Sequence, residues 1–310
     1  MRSLTPIRYR KIVLIAAWLL AFIVFTGAAV RLTQSGLGCE DWPTCSEDRL
    51  VPEFTYHGWV EFGNRLLSGV VSIGVIAAVL GAYRRVPRRP DLIKLAWGLV
   101  VGVLAQIVWG GMTVLVGLHP FFVSVHFLLS MMLLWNAIVL LVRSGTGSGP
   151  ATPIAPALIP HLRLVAALGV AILISGTVVT GTGPHSGDSR ADRLSLDLSS
   201  VVRVHSVIAW VFLAALLGLM WRVRSDRQAT SLYRATQPVL AAVVVQGAIG
   251  YTQYFTGVPA ILVFLHIVGA TALWCALVWM YLSFFTRPLE VPIEQAGSTN
   301  DLLLDQSTKG

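Results

Sequence analysis

Eight stretches of this chain are apolar over a length that can cross a lipid bilayer, and nothing else in the sequence limits the fold as much. They fall near 12–30, 59–83, 93–117, 122–142, 161–181, 199–221, 236–255 and 260–285. A hydrocarbon core of about 30 Å takes roughly 20 helical residues at about 1.5 Å each. In lipid the backbone must satisfy its own hydrogen bonds, so spanning segments this long are helices. The expectation is an all-α membrane protein with eight transmembrane helices. Composition agrees, with 55% hydrophobic residues, 12% charged ones and a mean hydropathy of +0.73. The first run continues directly into Arg31 and seven more follow it, so it is expected to be a retained span and not a cleaved signal peptide.

Lysine and arginine set the expected orientation. With both termini in the cytoplasm, the inside segments carry seventeen of the 23 basic residues and the outside segments five, with Arg65 inside a helix. This is a strong positive-inside bias and points to a multi-pass protein of the cell membrane. The net charge of +8 is accounted for by a basic face beside anionic lipid, and no nucleic-acid partner is expected.

An internal repeat divides the chain. Gln106 and His126 are twenty residues apart, as are Gln246 and His266, and the second pair lies 140 residues beyond the first. Gly110 and Gly250 keep the same offset, as do Gly117 and Gly257. Four spans per half bring both halves into the membrane from one side, giving two parallel-repeat four-helix bundles. The expected divisions are an N-terminal half at 1–142, a cytoplasmic linker at 143–160, a C-terminal half at 161–285 and a disordered cytoplasmic tail at 286–310. The linker (RSGTGSGPATPIAPALIP) is rich in Gly, Ser and Pro and reads as flexible.

Within the spans, ionisable side chains are the exceptions that point to function. Asn64, His126, His205 and His266 each lie about five to seven residues inside the outer end of a helix, roughly 8–10 Å deep. The second and fourth helices of each half can therefore present side chains to one another at one level. Imidazoles facing across a helical bundle commonly hold haem iron; singly, each would read as a hydrogen-bonded helix contact. Glu61 shares a helix face with Asn64 and Arg65. It serves either as the neutralising partner of Arg65 or as an acid/base beside a bound substrate. Val201 stands at its 140-residue offset, so the halves differ in this respect. Cys39 and Cys45, with five residues between them, sit in an outside loop where disulfides are favoured. A structural staple, a redox-active pair and a metal site all remain open for them. Cys275, inside the last helix, reads as a small apolar packer.

These residues bear a family resemblance. The chain resembles the haem A synthase family over about residues 12–285. The likeness rests on Arg31-Leu32-Thr33-Gln34-Ser35-Gly36-Leu37-Gly38-Cys39 running on to Trp42-Pro43, on Glu61-Phe62-Gly63-Asn64-Arg65-Leu66, and on the paired histidine helices. It implies haem b as a fixed cofactor in the C-terminal half, with His205 and His266 as axial ligands. In the N-terminal half it implies haem O as substrate, with His126 as ligand of its iron, Glu61 as the catalytic carboxylate, and Asn64 and Arg65 nearby. It further implies a Cys39–Cys45 disulfide and oxidation of the C8 methyl of haem O to a formyl group through a hydroxymethyl intermediate. Haem O synthase and the assembly of cytochrome c oxidase are the implied partners, with an electron acceptor that none of these motifs supplies.

One position departs from the family pattern, which has histidine where this chain has Asn64. An asparagine is a poor iron ligand, so the substrate haem is expected to be held by His126 alone, with His57 as the alternative second ligand. His119 and His185, in outside loops, are either surface histidines or contacts to haem propionates, and His161 at the inner edge is expected to be silent. The competing functional reading is a dihaem membrane cytochrome passing electrons to or from quinone. That reading uses the same histidines but needs neither Glu61 nor the cysteines. A transporter would need broken helices and a polar midplane site, and the sequence has neither mark.

Overall fold

The computed structural model describes residues 3–225 and 232–287. Among its described residues every long element is a helix: α1 (Pro6–Leu32), α2 (Tyr56–Arg84), α3 (Pro90–Leu115), α4 (Pro120–Ser144), α5 (Ile159–Thr182), α6 (Leu198–Ser225), α7 (Tyr233–Phe255) and α8 (Ala260–Ser283). Seven of these are long and apolar enough to cross a membrane, so the chain is a multi-pass membrane protein in its architecture. The exception is α7, which has the length but carries Arg234, Gln237, Gln246 and Gln253 among its apolar residues.

The helices extend beyond the apolar runs because their ends carry capping chemistry that hydropathy does not register. Thr5 accepts a hydrogen bond from the Arg8 amide, and Thr55 accepts one from the Gly58 amide. Proline opens α1, α3 and α4, where its missing N–H removes nothing. Helices α3 and α7 stop in the same way. Gly117 and Leu118 both adopt positive φ, as do Gly257 and Val258 140 residues later. The Leu118 amide reaches back to the Thr113 carbonyl at 2.9 Å, and the Val258 amide to that of Gln253 at 2.8 Å. This is the wrapped C-terminal turn that left-handed residues permit.

Packing follows chain order. Helix α1 packs on α2, α2 on α3, α3 on α4 and α4 on α1; α5 through α8 close a second ring in the same order. Each ring has its own apolar cluster, one around Val75, Leu99 and Leu134 and the other around Leu162, Phe212 and Leu216. The rings meet through α4 and α8, flanked by α1 and α5. Trp274 of α8 donates its indole N–H to the Met131 carbonyl of α4 at 2.8 Å across that seam.

The 143–160 segment is anchored along its length, contrary to its flexible composition. Arg89 donates to the carbonyls of Thr146 and Gly147, and Arg287 to that of Gly149. A short strand β1 (Thr152–Pro153) pairs antiparallel with β2 (Phe285–Thr286), and Ala155 and Leu158 are buried. Three arginine contacts to backbone carbonyls satisfy groups that the Gly/Ser/Pro sequence leaves without a ladder. The expected disordered tail lies, from residue 288 onward, outside the described residues.

Candidate functional site

A cavity of about 940 Å³ lies among the helices and draws its walls from both rings, with Glu61, Asn64, His126, His205 and His266 all lining it. The carboxylate, the amide and the three histidines singled out within the apolar runs therefore face one internal space.

In the second ring, His205 on α6 and His266 on α8 approach across the bundle with ring centroids 6.4 Å apart and planes inclined by 66°. Metal–imidazole bonds of about 2 Å on opposite sides of one ion separate ring centres by roughly 6 Å, so the pair fits a metal held between them. Nδ1 of His205 pairs with the Ser175 hydroxyl at 2.9 Å, which orients the ring. Glycines make room for both imidazoles: a Cβ at Gly176 would lie 3.3 Å from Cε1 of His205, and one at Gly250 would lie 3.2 Å from Cε1 of His266. Gln246 donates to the His266 backbone carbonyl at 2.7 Å, fixing the depth of α8 against α7.

The first ring reproduces half of this arrangement. Gln106 donates to the His126 carbonyl at 3.2 Å, and a Cβ at Gly110 would lie 3.1 Å from Cε1 of His126. The 140-residue repeat is thus a repeated imidazole cradle. Nδ1 of both His126 and His266 is buried and without a hydrogen-bond partner among the described residues. Across the ring Asn64 replaces the second histidine, and its Oδ1 accepts from the Thr26 hydroxyl at 2.8 Å. Among the described residues no three or more His, Cys, Asp or Glu converge. Paired imidazoles alone suit a metal that arrives with its other ligands already in place, as in haem.

Glu61 sits under the loop between α1 and α2 with both carboxylate oxygens engaged. Oε1 accepts from Arg65 at 2.6 Å and Oε2 from the Cys39 amide at 2.7 Å. Arg65 also donates to the carbonyls of Cys39, Asp41 and Thr44 and lies over the Trp42 ring, 5.0 Å from its centroid. The Trp42 indole in turn rests on Gly111, where a Cβ would overlap it. Glu61 thus both pairs with Arg65 and lines the cavity. Cys39 and Cys45 form a disulfide with Cα atoms 4.3 Å apart, which removes the metal-site reading of these cysteines. Cys275 is a free thiol packed against the first apolar cluster.

The remaining histidines have structural partners. His57 bonds to Ser35 at 2.9 Å and is absent from the cavity lining, so the structure does not bring it to the substrate side as an alternative ligand. His119 is the N-cap of α4, accepting from the Phe121 amide. His185 donates to the Val258 carbonyl at 2.8 Å, and His161 to that of Ala215 at 2.9 Å. Thr26, Ser175, Gly27 and Gly176 were not marked from the sequence. Their signal is a hydroxyl residue followed by glycine in the last third of the first helix of each half.

Helical rings around a histidine-lined internal cavity define an all-helical membrane protein with a central cavity. The chain belongs to the family described as cytochrome oxidase assembly protein (COX15-CtaA), whose model matches residues 10–186, more than half of it. Its relatives include the protein named Heme A synthase from Geobacillus kaustophilus, 39% identical over 113 residues, 34% of this chain and 35% of that one. The Heme A synthase of Geobacillus thermodenitrificans is 36% identical over 135 residues, 41% and 42% of the two chains. That of Lysinibacillus sphaericus is 32% identical over 126 residues, 40% and 41%. The matched stretches span less than half the length of each of these relatives.

Proposed function

We propose that this protein is a haem A synthase of the cell membrane, oxidising the C8 methyl of haem O to a formyl group by way of a hydroxymethyl intermediate. The family, and the names of the relatives, support the activity. The observation that carries the reading is the 6.4 Å separation of His205 and His266 in a cavity shared with Glu61 and His126.

In this reading the chain is two parallel four-helix halves, 1–142 and 161–285, with all eight helices crossing the bilayer and both termini cytoplasmic. His205 and His266 hold haem b in the second half. Held there by His205 and His266, haem b would supply one-electron redox chemistry. His126 holds the iron of the substrate in the first half, with Arg65 and Asn64 beside it. Glu61 takes the proton released from the methyl-derived carbon or stabilises positive charge developing there. A carboxylate offers about four lone-pair positions, and two are used by Arg65 and Cys39, so acceptor capacity remains toward the cavity. Water entering the cavity beneath the roof of residues 33–49 supplies the oxygen that the carbon gains as it gives up protons and electrons. Haem O synthase is the proposed donor of so insoluble a substrate, cytochrome c oxidase assembly consumes the product, and an external acceptor takes the electrons.

The test is to add haem O to the purified protein and identify the haems extracted afterwards. Alcohol and aldehyde products support the synthase. Unchanged haem O alongside reversible electron transfer to quinone would support a dihaem cytochrome instead.

A further inference from the structure

We propose that Asn64 is a hydrogen-bond donor to a small ligand, diatomic or water-sized, bound on the face of the substrate iron opposite His126. The inference rests on the reading of His126 as that iron's ligand and concerns the position where the two halves differ.

The halves can be compared group by group. In the second, Ser175 bonds to Nδ1 of His205, and the neighbouring Gly176 is filled by the ring, whose Cε1 lies 3.3 Å from a Cβ built there. In the first, Thr26 occupies the place of Ser175 and bonds to Asn64 at 2.8 Å. Gly27 occupies the place of Gly176, but a Cβ built on it meets nothing within 4 Å. The hydroxyl and the glycine that accommodate an imidazole are both present, with a shorter side chain between them. An amide stops short of where the ring nitrogen of a histidine would reach, which leaves room for a ligand of two or three atoms.

The hydrogen bonds also orient that amide. Thr26 Oγ1 has one proton and two acceptors in reach, the Ile23 carbonyl at 3.2 Å and Asn64 Oδ1 at 2.8 Å. The structure has Thr26 donating to Asn64, so the Asn64 oxygen is turned toward α1. Its Nδ2, a two-proton donor, has no hydrogen-bond partner among the described residues, and Asn64 lines the cavity. A donor beside an open iron face decides which small ligands bind there and how they are polarised. Two histidines would close that face, whereas His126 with Asn64 keeps it open and polar.

Carbon monoxide is the probe. The wild-type protein, carrying haem b and loaded with haem O, is reduced and exposed to the gas, and the C–O stretch is recorded by infrared spectroscopy. Carbon monoxide should bind one of the two haems, because His205 and His266 close the other. Asn64→Leu should retain binding but shift the C–O stretch upward, as loss of a donor does, and Thr26→Val should shift it in the same direction by unfixing the amide. Asn64→His should abolish binding by filling the space beside Gly27 and giving a six-coordinate, low-spin haem. The haem b spectrum serves as the folding control in each variant, and Thr26→Val carries the test if Asn64→Leu lacks it. An identical C–O stretch in wild type and in the folded variant means that Asn64 donates nothing and overturns the proposal. Two bound haems with no carbon monoxide uptake overturn it too, since another ligand then closes the site. Retention of only one haem after loading refutes the underlying reading of the first half, and the inference falls with it.

Discussion

Glu61 combines two demands in one side chain. It is 5% exposed, and its ion pair with Arg65 is nearly as enclosed. Breaking such a pair from one side leaves an uncompensated buried charge, at about 3–5 kcal/mol, so a merely structural Glu61 would be sensitive to any neutral replacement. Glu61→Gln keeps the shape and an oxygen for the Cys39 amide, and removes the charge. The expected outcome is haem b retained and haem A formation reduced by roughly a hundredfold or more, the scale of lost acid/base catalysis, with hydroxymethyl haem accumulating if the second oxidation is the blocked step. Chromatography of extracted haems makes the measurement, and a normal yield of haem A would leave Glu61 as the partner of Arg65 alone. The pairing itself was readable in the sequence, since residues four apart share a helix face. The Cys39 contact was not, because it forms only when a loop 22 residues away folds over the helix.

At the scale of elements, the outer loop and the start of α6 position what the residues do. The loop is fixed at three points: the Cys39–Cys45 disulfide, the three Arg65 contacts to its carbonyls and the Gly36 amide bonded to the Gly187 carbonyl at 2.9 Å. Closing so short a loop covalently is worth roughly 2 kcal/mol, and Arg65 holds the same carbonyls independently. Cys39→Ser with Cys45→Ser should therefore keep part of the activity if the bond is only a staple. Without reductant, neither outer cysteine of the native protein should react with a thiol reagent, and labelling of both would disprove the bond. Asp197 caps α6, the helix of His205, by accepting from the amide and hydroxyl of Ser200 and the hydroxyl of Ser199. These bonds hold its carboxyl down at about 2, below the ordinary value of about 3.9. A lowered folded-state value makes the cap's contribution complete above about pH 4 and loses it as pH falls through about 2. Hydrogen exchange at Ser200 should accelerate in Asp197→Ala at neutral pH and stay near wild type in Asp197→Asn, which can still cap.

The two rings are alike in packing and unlike in polar content, and that asymmetry governs the whole molecule. Helices and their periodic apolar runs could be recognised from the sequence because lipid permits so few alternatives. Residues paired by the 140-residue offset have matching surroundings: Gln106 and Gln246 bond to the histidine carbonyls, and Gly117 and Gly257 lie in similar turns. The order in the linker was hidden, since it depends on Arg89 and Arg287, which are remote in sequence. So was the continuity of the cavity, which depends on how α4 and α8 meet. A shared cavity makes independence of the two histidine sites the sharpest question about the assembled protein. If each ring holds its own haem, ligand loss should be confined to one ring. His266→Ala removes one of two axial ligands from the second ring and should lower haem b content severely, with the helical spectrum unchanged. His126→Ala should leave haem b content and its low-spin spectrum intact while halting turnover of added haem O. Absorption and EPR spectra of both variants, at matched protein concentration, measure this directly. Full haem b in His266→Ala, or its loss in His126→Ala, would show that the iron is held otherwise than by the facing pair of α6 and α8.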